Sequence, residues 1–174
     1  MREEKNTHNL LVSDDNVKPM QHGVFDPAML CAECDALLGK LDDFAIRIWR
    51  RFPKHHRTVD DGFIMDCVDG DRISKFILSI LWRASTSTRP ECRSVSLGAS
   101  EALVQEVVFG IRPLSHIPMY QLLLSRFLRH PRFNPAHNCT LPISRNIEGF
   151  RAWSFSLYGF SVLAKLDIMP FPVD

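Results

Sequence analysis

With 174 residues, 45% of them hydrophobic and 24% charged, the chain has the make-up of a folded globular protein with room for one well-buried core. Its 21 Lys and Arg against 20 Asp and Glu leave a formal charge of +1. That balance argues against a general nucleic-acid binder, whose phosphate affinity comes from many uncompensated cations.

The polar start, Met1 to His8, lacks the apolar stretch of a secretory signal. No uninterrupted apolar run approaches the ~20 residues that a membrane span needs. The expectation is a cytoplasmic protein with no membrane contact, its five cysteines mostly buried free thiols in a reducing compartment. Residues 1–25 are polar and turn-rich, with Asp14-Asp15-Asn16 and His22-Gly23 as punctuation, and are expected to form an N-terminal arm. Residues 26–174 are expected to form a single α+β domain.

Asp26-Pro27 has the form of a helix start, a carboxylate cap followed by proline. Leu37, Leu41, Phe44, Ala45 and Ile48 then fall on one helical face, and Phe52-Pro53 is the expected end. Lys54 to Gly62 is a polar stretch expected to be a loop. A second helix is predicted from near Asp69, carrying Ile73, Phe76, Ile77, Ile80, Leu81 and Ala84. Its stripe is the most apolar in the chain, which makes it the expected central helix. A third helix places Leu103, Val104, Val107 and Val108 inward and stops at Gly110.

The period changes after Pro118. Tyr120 to Phe127 is compatible with strand or helix, and Cys139 to Ser144 with a short extended piece. Trp153, Phe155 and Leu157 alternate with small residues as in a half-buried strand. Tyr158-Gly159 reads as a turn, and Phe160, Val162 and Ala164 as the return strand. The predicted class is α+β: three main helices, then a small antiparallel β-sheet ending in a hairpin.

The chemistry-bearing motif that stands out is Cys31-Ala32-Glu33-Cys34. Its spacing suits two ligands of one zinc ion, yet no second Cys-x-x-Cys occurs. His22, and less readily His8, are the candidates for further ligands, as is a second copy of the chain in a homodimer. Zinc is therefore the one cofactor the sequence suggests. His55-His56 lies between Lys54 and Arg57 in a segment whose polarity is explained by solvation alone. Trp82 sits beside the main stripe of the second helix and is expected to complete the core, while Arg83 emerges at its edge, ready to pair with an acidic residue or to anchor an interface. Arg126, Arg129, His130, Arg132 and Arg145 form the one basic concentration. Phe127 and Phe133 are interleaved with it, a pattern that suits nucleic-acid stacking, an acidic protein surface, or plain surface arginines flanking core aromatics. Cys139 and His137 stand two residues apart, a poor spacing for nucleophile and base. No Gly-x-Ser-x-Gly, phosphate-cradling glycine loop or His-Glu-x-x-His occurs.

From about Leu11 onward the order of these pieces resembles the C-terminal part of a largely uncharacterised bacterial family of HNH-like zinc-knuckle proteins. The resemblance rests on Leu30-Cys31-x-x-Cys34 before a helix, the block Phe76 to Ser85 with its Leu81-Trp82-Arg83-Ala84-Ser85 string, Val95-Ser96-Leu97-Gly98, and the closing Phe155-x-Leu157-x-Gly159-Phe160 hairpin. Members of that set usually begin with a further Cys-x-x-Cys and a Ser-His motif, and the first 30 residues here contain neither. A ββα-metal nuclease needs a water-activating histidine beside its metal, so the resemblance implies fold more than nuclease activity. The functional expectation is a non-catalytic protein-interaction module, such as a phage or mobile-element inhibitor of a bacterial nucleic-acid-targeting defence complex (anti-CRISPR-like). The alternatives are a DNA-binding or HNH-related nuclease and an immunity or antitoxin protein.

Overall fold

The computed structural model describes residues 9–13, 16–20, 26, 28–59, 62–117, 121–126, 139–147 and 149–166. Its elements run β1 (Asn9–Ser13), β2 (Asn16–Met20), α1 (Ala32–His55), β3 (His56–Val59), β4 (Gly62–Met65), α2 (Gly70–Thr86), α3 (Glu101–Val108), β5 (Gln121–Arg126), β6 (Ile143–Ile147), β7 (Phe150–Leu157) and β8 (Phe160–Lys165), with short 3₁₀ turns between α2 and β5. The α+β class and the closing hairpin are as the sequence predicts. Two further hairpins, β1–β2 and β3–β4, lie in stretches read as arm and loop. The elements group into two compact units: α1, β3, β4, α2 and α3 in one, and β1, β2, the 87–95 segment and β5–β8 in the other.

In the helical unit α2 packs against both α1 and α3. Ile73, Phe76, Ile77, Leu78, Leu81, Trp82 and Ala84 of α2 are buried. Trp82 meets Phe109 edge to face, with ring centroids 5.2 Å apart, and so completes this core. The Asp69 carboxylate accepts the Arg72 N–H at 3.0 Å and caps α2. Gly110, at φ 77°, ends the turn after α3, as its type predicts.

Helix α1 departs from expectation in three ways. It starts at Ala32 with Cys31 as its cap. Asp26 is turned elsewhere: one carboxylate oxygen accepts from Ser87 Oγ (3.0 Å), Thr88 N (2.9 Å) and Thr88 Oγ1 (3.1 Å). The buried face is Leu38, Ala45, Trp49 and Phe52, one residue round from the predicted stripe, and Leu37 is exposed. The large rings set that rotation, with Trp49 lying 5.3 Å from Phe76 between centroids. The helix also runs past Phe52-Pro53 to His55, closing with the His56 N–H bonded to the Phe52 carbonyl.

Ser85 joins two of the motifs on which the resemblance rests. Its hydroxyl donates to the Glu101 carboxylate and accepts the Leu97 N–H at 3.0 Å, fastening the start of α3 to the end of α2. Gly98, at φ 55°, makes the bend between them.

The sheet has the order β5-β8-β7-β6, antiparallel throughout. Tyr158 and Gly159 both take positive φ (49° and 83°), the two-residue turn whose twist suits a right-handed hairpin. Trp153, Phe155, Phe160, Val162 and Ala164 are buried on one face, and Phe150, Ala152 and Lys165 on the other. The Lys165 ammonium lies 5.6 Å from the Phe150 ring centre. Such two-sided burial belongs to the central strands.

Candidate functional site

Cys31 and Cys34 occupy the cap and first turn of α1. The Cys31 sulfur accepts the Cys34 N–H at 3.5 Å, and the Asp35 N–H closes the turn on the Cys31 carbonyl at 2.9 Å. Cys31 is exposed and Cys34 half-buried. The backbone N–H of Cys34 pulls the Cys31 thiol below its ordinary pKa, because a donated hydrogen bond favours the thiolate. Cys34 moves up, chiefly because of the hydrogen bond between the two side chains. As a zinc centre the pair supplies two sulfurs where a tetrahedral site takes four donors. Among the described residues no group of three or more His, Cys, Asp and Glu side chains is placed to share an ion. His22 and His8, the further candidates, lie outside the described residues.

Arg83 takes the first of the two roles expected for it. Its Nη1 and Nη2 donate to the two oxygens of Asp42 at 2.9 and 2.8 Å, while Nε and Nη2 also donate to the carbonyl and hydroxyl of Ser79 at 3.2 and 3.1 Å. The fork thus ties α2 to α1, with both side chains about one-quarter to one-third exposed. Asp42 was legible only as part of the wet face of α1, because nothing in spacing links residues 41 apart.

His56 Nδ1–H donates to the Phe52 carbonyl at 2.6 Å and its ring stacks on Phe52, centroids 4.4 Å apart. His55 is exposed at the end of α1. The doublet is therefore a helix end leading into a strand, where a loop was expected.

The basic concentration is spread out. Arg126 is on β5 and Arg145 on β6, the two opposite edges of the sheet. Arg126 is level with Phe160 and Leu157, while Arg145 is level with Ala152, so they stand roughly 20 Å apart by strand spacing and rise. Arg129, His130 and Arg132 lie outside the described residues, as does His137, while Cys139 is exposed.

Sequence reasoning missed the outer side of β6. Ile143, Ser144, Arg145 and Asn146 are all exposed, Ile143 to 44%. Ile147 faces Phe150 across a two-residue connection, making it the hydrogen-bonded closing pair. Alternation then aims the backbone of Arg145 and Ile143 at β7 and that of Ser144 and Asn146 outward. Ser156 has the same parity as Ala152 and Ser154, and it exchanges bonds with Thr140 on this side: Thr140 N to Ser156 O at 3.0 Å, Ser156 N to Thr140 Oγ1 at 2.8 Å. Among the described residues nothing pairs with the outward groups of Ser144 and Asn146. Arg145 lies on one face of this edge. On the other, Arg151 donates to Ser144 Oγ at 3.1 Å and lies over Trp153. The signal was present as alternating Ile143-x-Arg145-x-Ile147, but the extended piece was placed a few residues too early.

No helix among the described residues is long and apolar enough to cross a membrane. No protein-family model, curated protein or solved structure matches this chain.

Proposed function

We propose that this chain is a non-catalytic protein-interaction module whose partner adds an extended, acidic segment to the β6 edge. The observation that carries the reading is the outward-facing backbone of Ser144 and Asn146, with which nothing pairs among the described residues, on a strand whose first four side chains are exposed. Open edges template strand addition. Arg145, exposed on one face of this edge, favours a segment carrying a carboxylate on that side, with charge governing encounter rate and partner choice more than raw affinity. Strand addition is one of the modes by which an inhibitor or immunity protein can cover a target. A bacterial nucleic-acid-targeting complex as that target is the narrower form of the same proposal.

The separation of Arg126 from Arg145 weighs against a single nucleic-acid patch built from both. The test is a screen of extended peptides with acidic, neutral and basic termini, read by amide shifts. The expected result is binding of acidic strand-forming peptides, with the largest shifts at Ser144 and Asn146, lost in Ser144→Pro. Tight binding to duplex DNA at low salt that collapses as salt rises would overturn it in favour of a nucleic-acid protein. DNA cleavage in magnesium or manganese, abolished by Cys31→Ala, would favour an HNH-related nuclease.

A further inference from the structure

We infer that Cys31 and Cys34 form a redox-active dithiol that closes to an intramolecular disulfide by exchange with a small-molecule or protein disulfide. The inference is independent of partner docking at β6 and rests on three placements. Cys31 caps α1 and Cys34 sits in its first turn, so both thiols lie at one end of the helix. The Cys31 sulfur also receives the Cys34 backbone N–H, as the thiol at a helix N-terminus does in reactive Cys-x-x-Cys motifs. The outer sulfur, Cys31, is exposed, while Cys34 sits half-buried behind it. One thiol is thereby open to an incoming disulfide, and the second is held in place to resolve the product.

The chemistry balances as a two-electron exchange. The Cys31 thiolate attacks one sulfur of the disulfide R–S–S–R, forming Cys31–S–S–R and expelling RS⁻. Cys34, giving its proton to solvent, then attacks the Cys31 sulfur and expels the second RS⁻, which solvent protonates along with the first. The protein dithiol is oxidised to a disulfide and the partner disulfide is reduced to two thiols. Helix α1 keeps its cap in either state through the backbone bond from Asp35, so the change is confined to the first turn. That is the form of a reversible local switch.

Oxidised glutathione is the probe, with intact-mass and peptide mapping as the readout on the full chain. The wild type is expected to lose two hydrogens between Cys31 and Cys34 and retain no glutathione there, while exposed Cys67 and Cys139 serve as unbridged comparators. Cys34→Ser is expected to trap glutathione on Cys31. Cys31→Ser is expected to leave Cys34 about tenfold slower to react than Cys31 is in the Cys34→Ser chain, for want of exposure and of the amide bond. Serine at either position suits a helix start, so both variants are expected to keep the wild-type circular dichroism. Separate glutathione adducts on Cys31 and Cys34 in the wild type would overturn the inference. So would zinc held by the two sulfurs in the native mass together with resistance to oxidised glutathione.

Discussion

Arg83 and Arg145 look alike in the sequence, each a basic residue beside an apolar stretch, and the fold uses them in opposite ways. At the α1–α2 seam the Arg83 fork meets both oxygens of Asp42 and two groups of Ser79. At the β6 edge Arg145 is exposed beside backbone groups that face outward. Burial separates the two roles. A half-buried guanidinium must find acceptors or destabilise the fold, whereas an exposed one costs nothing unpaired and remains available to a partner.

The largest effect should come from breaking the seam. Arg83→Ala removes a bidentate charge-assisted pair, and with partial solvent exposure a loss of about 2 kcal/mol is expected in urea unfolding. Asp42→Ala should cost about as much, and the double variant only about 2–3 kcal/mol in all, giving a coupling of about 1–2 kcal/mol. Additive losses would mean that the pair does not act as a unit. Arg145→Ala, by contrast, should stay within about 0.5 kcal/mol of wild type.

Proline scanning sharpens the edge side of the comparison. Arg145→Pro deletes an N–H that points to β7 and should cost about 1–2 kcal/mol, while Ser144→Pro deletes an outward one and should cost less than about 0.5 kcal/mol. A larger loss for Ser144→Pro than for Arg145→Pro would reverse the parity assigned to β6, and with it the docking edge. A smaller effect, about 1 kcal/mol, is expected for Gly98→Ala. There φ is 55° and an added methyl group meets nothing within 4 Å, so the cost is conformational alone.

How far the sequence revealed this molecule follows the range of the forces involved. Helix α2 and the β7–β8 hairpin were legible because a stripe or an alternation is a local pattern, and Tyr158-Gly159 punctuates it. The α1 start was misplaced because Asp26-Pro27 satisfies the local rule for a cap, yet the carboxylate is used by Ser87 and Thr88, 61 and 62 residues away. The helix face was turned by one residue because Trp49 fills more space than any side chain of the expected stripe, and its fit against Phe76 of α2 decides which ring goes inward. The β3–β4 hairpin was hidden because its strand His56–Val59 is polar and largely exposed, so no buried face imposes a period of two. The Cys31–Cys34 spacing was visible at once, but the hydrogen bonds that distinguish the two thiols depend on where the helix begins.

That distinction supplies the smallest and most local prediction. Because the Cys34 N–H favours the Cys31 thiolate, Cys31 should be alkylated by iodoacetamide at half its maximal rate at a lower pH than an ordinary thiol, and Cys34 at a higher pH. The signs follow from the hydrogen bonds: a donor aimed at the Cys31 sulfur stabilises its ionised form, whereas a Cys34 thiol that donates to that sulfur must give up the bond to ionise. The leading cause for Cys31 is a backbone group, so Cys34→Ser should leave its lowered profile in place, since serine keeps the same amide. The raised profile of Cys34 has the Cys31 side chain as its leading cause, and Cys31→Ser should bring Cys34 back toward the ordinary range by removing that thiol. Peptide-resolved alkylation across pH measures both. Coincident curves for the two cysteines in the wild type would place α1's first turn elsewhere than at Cys31.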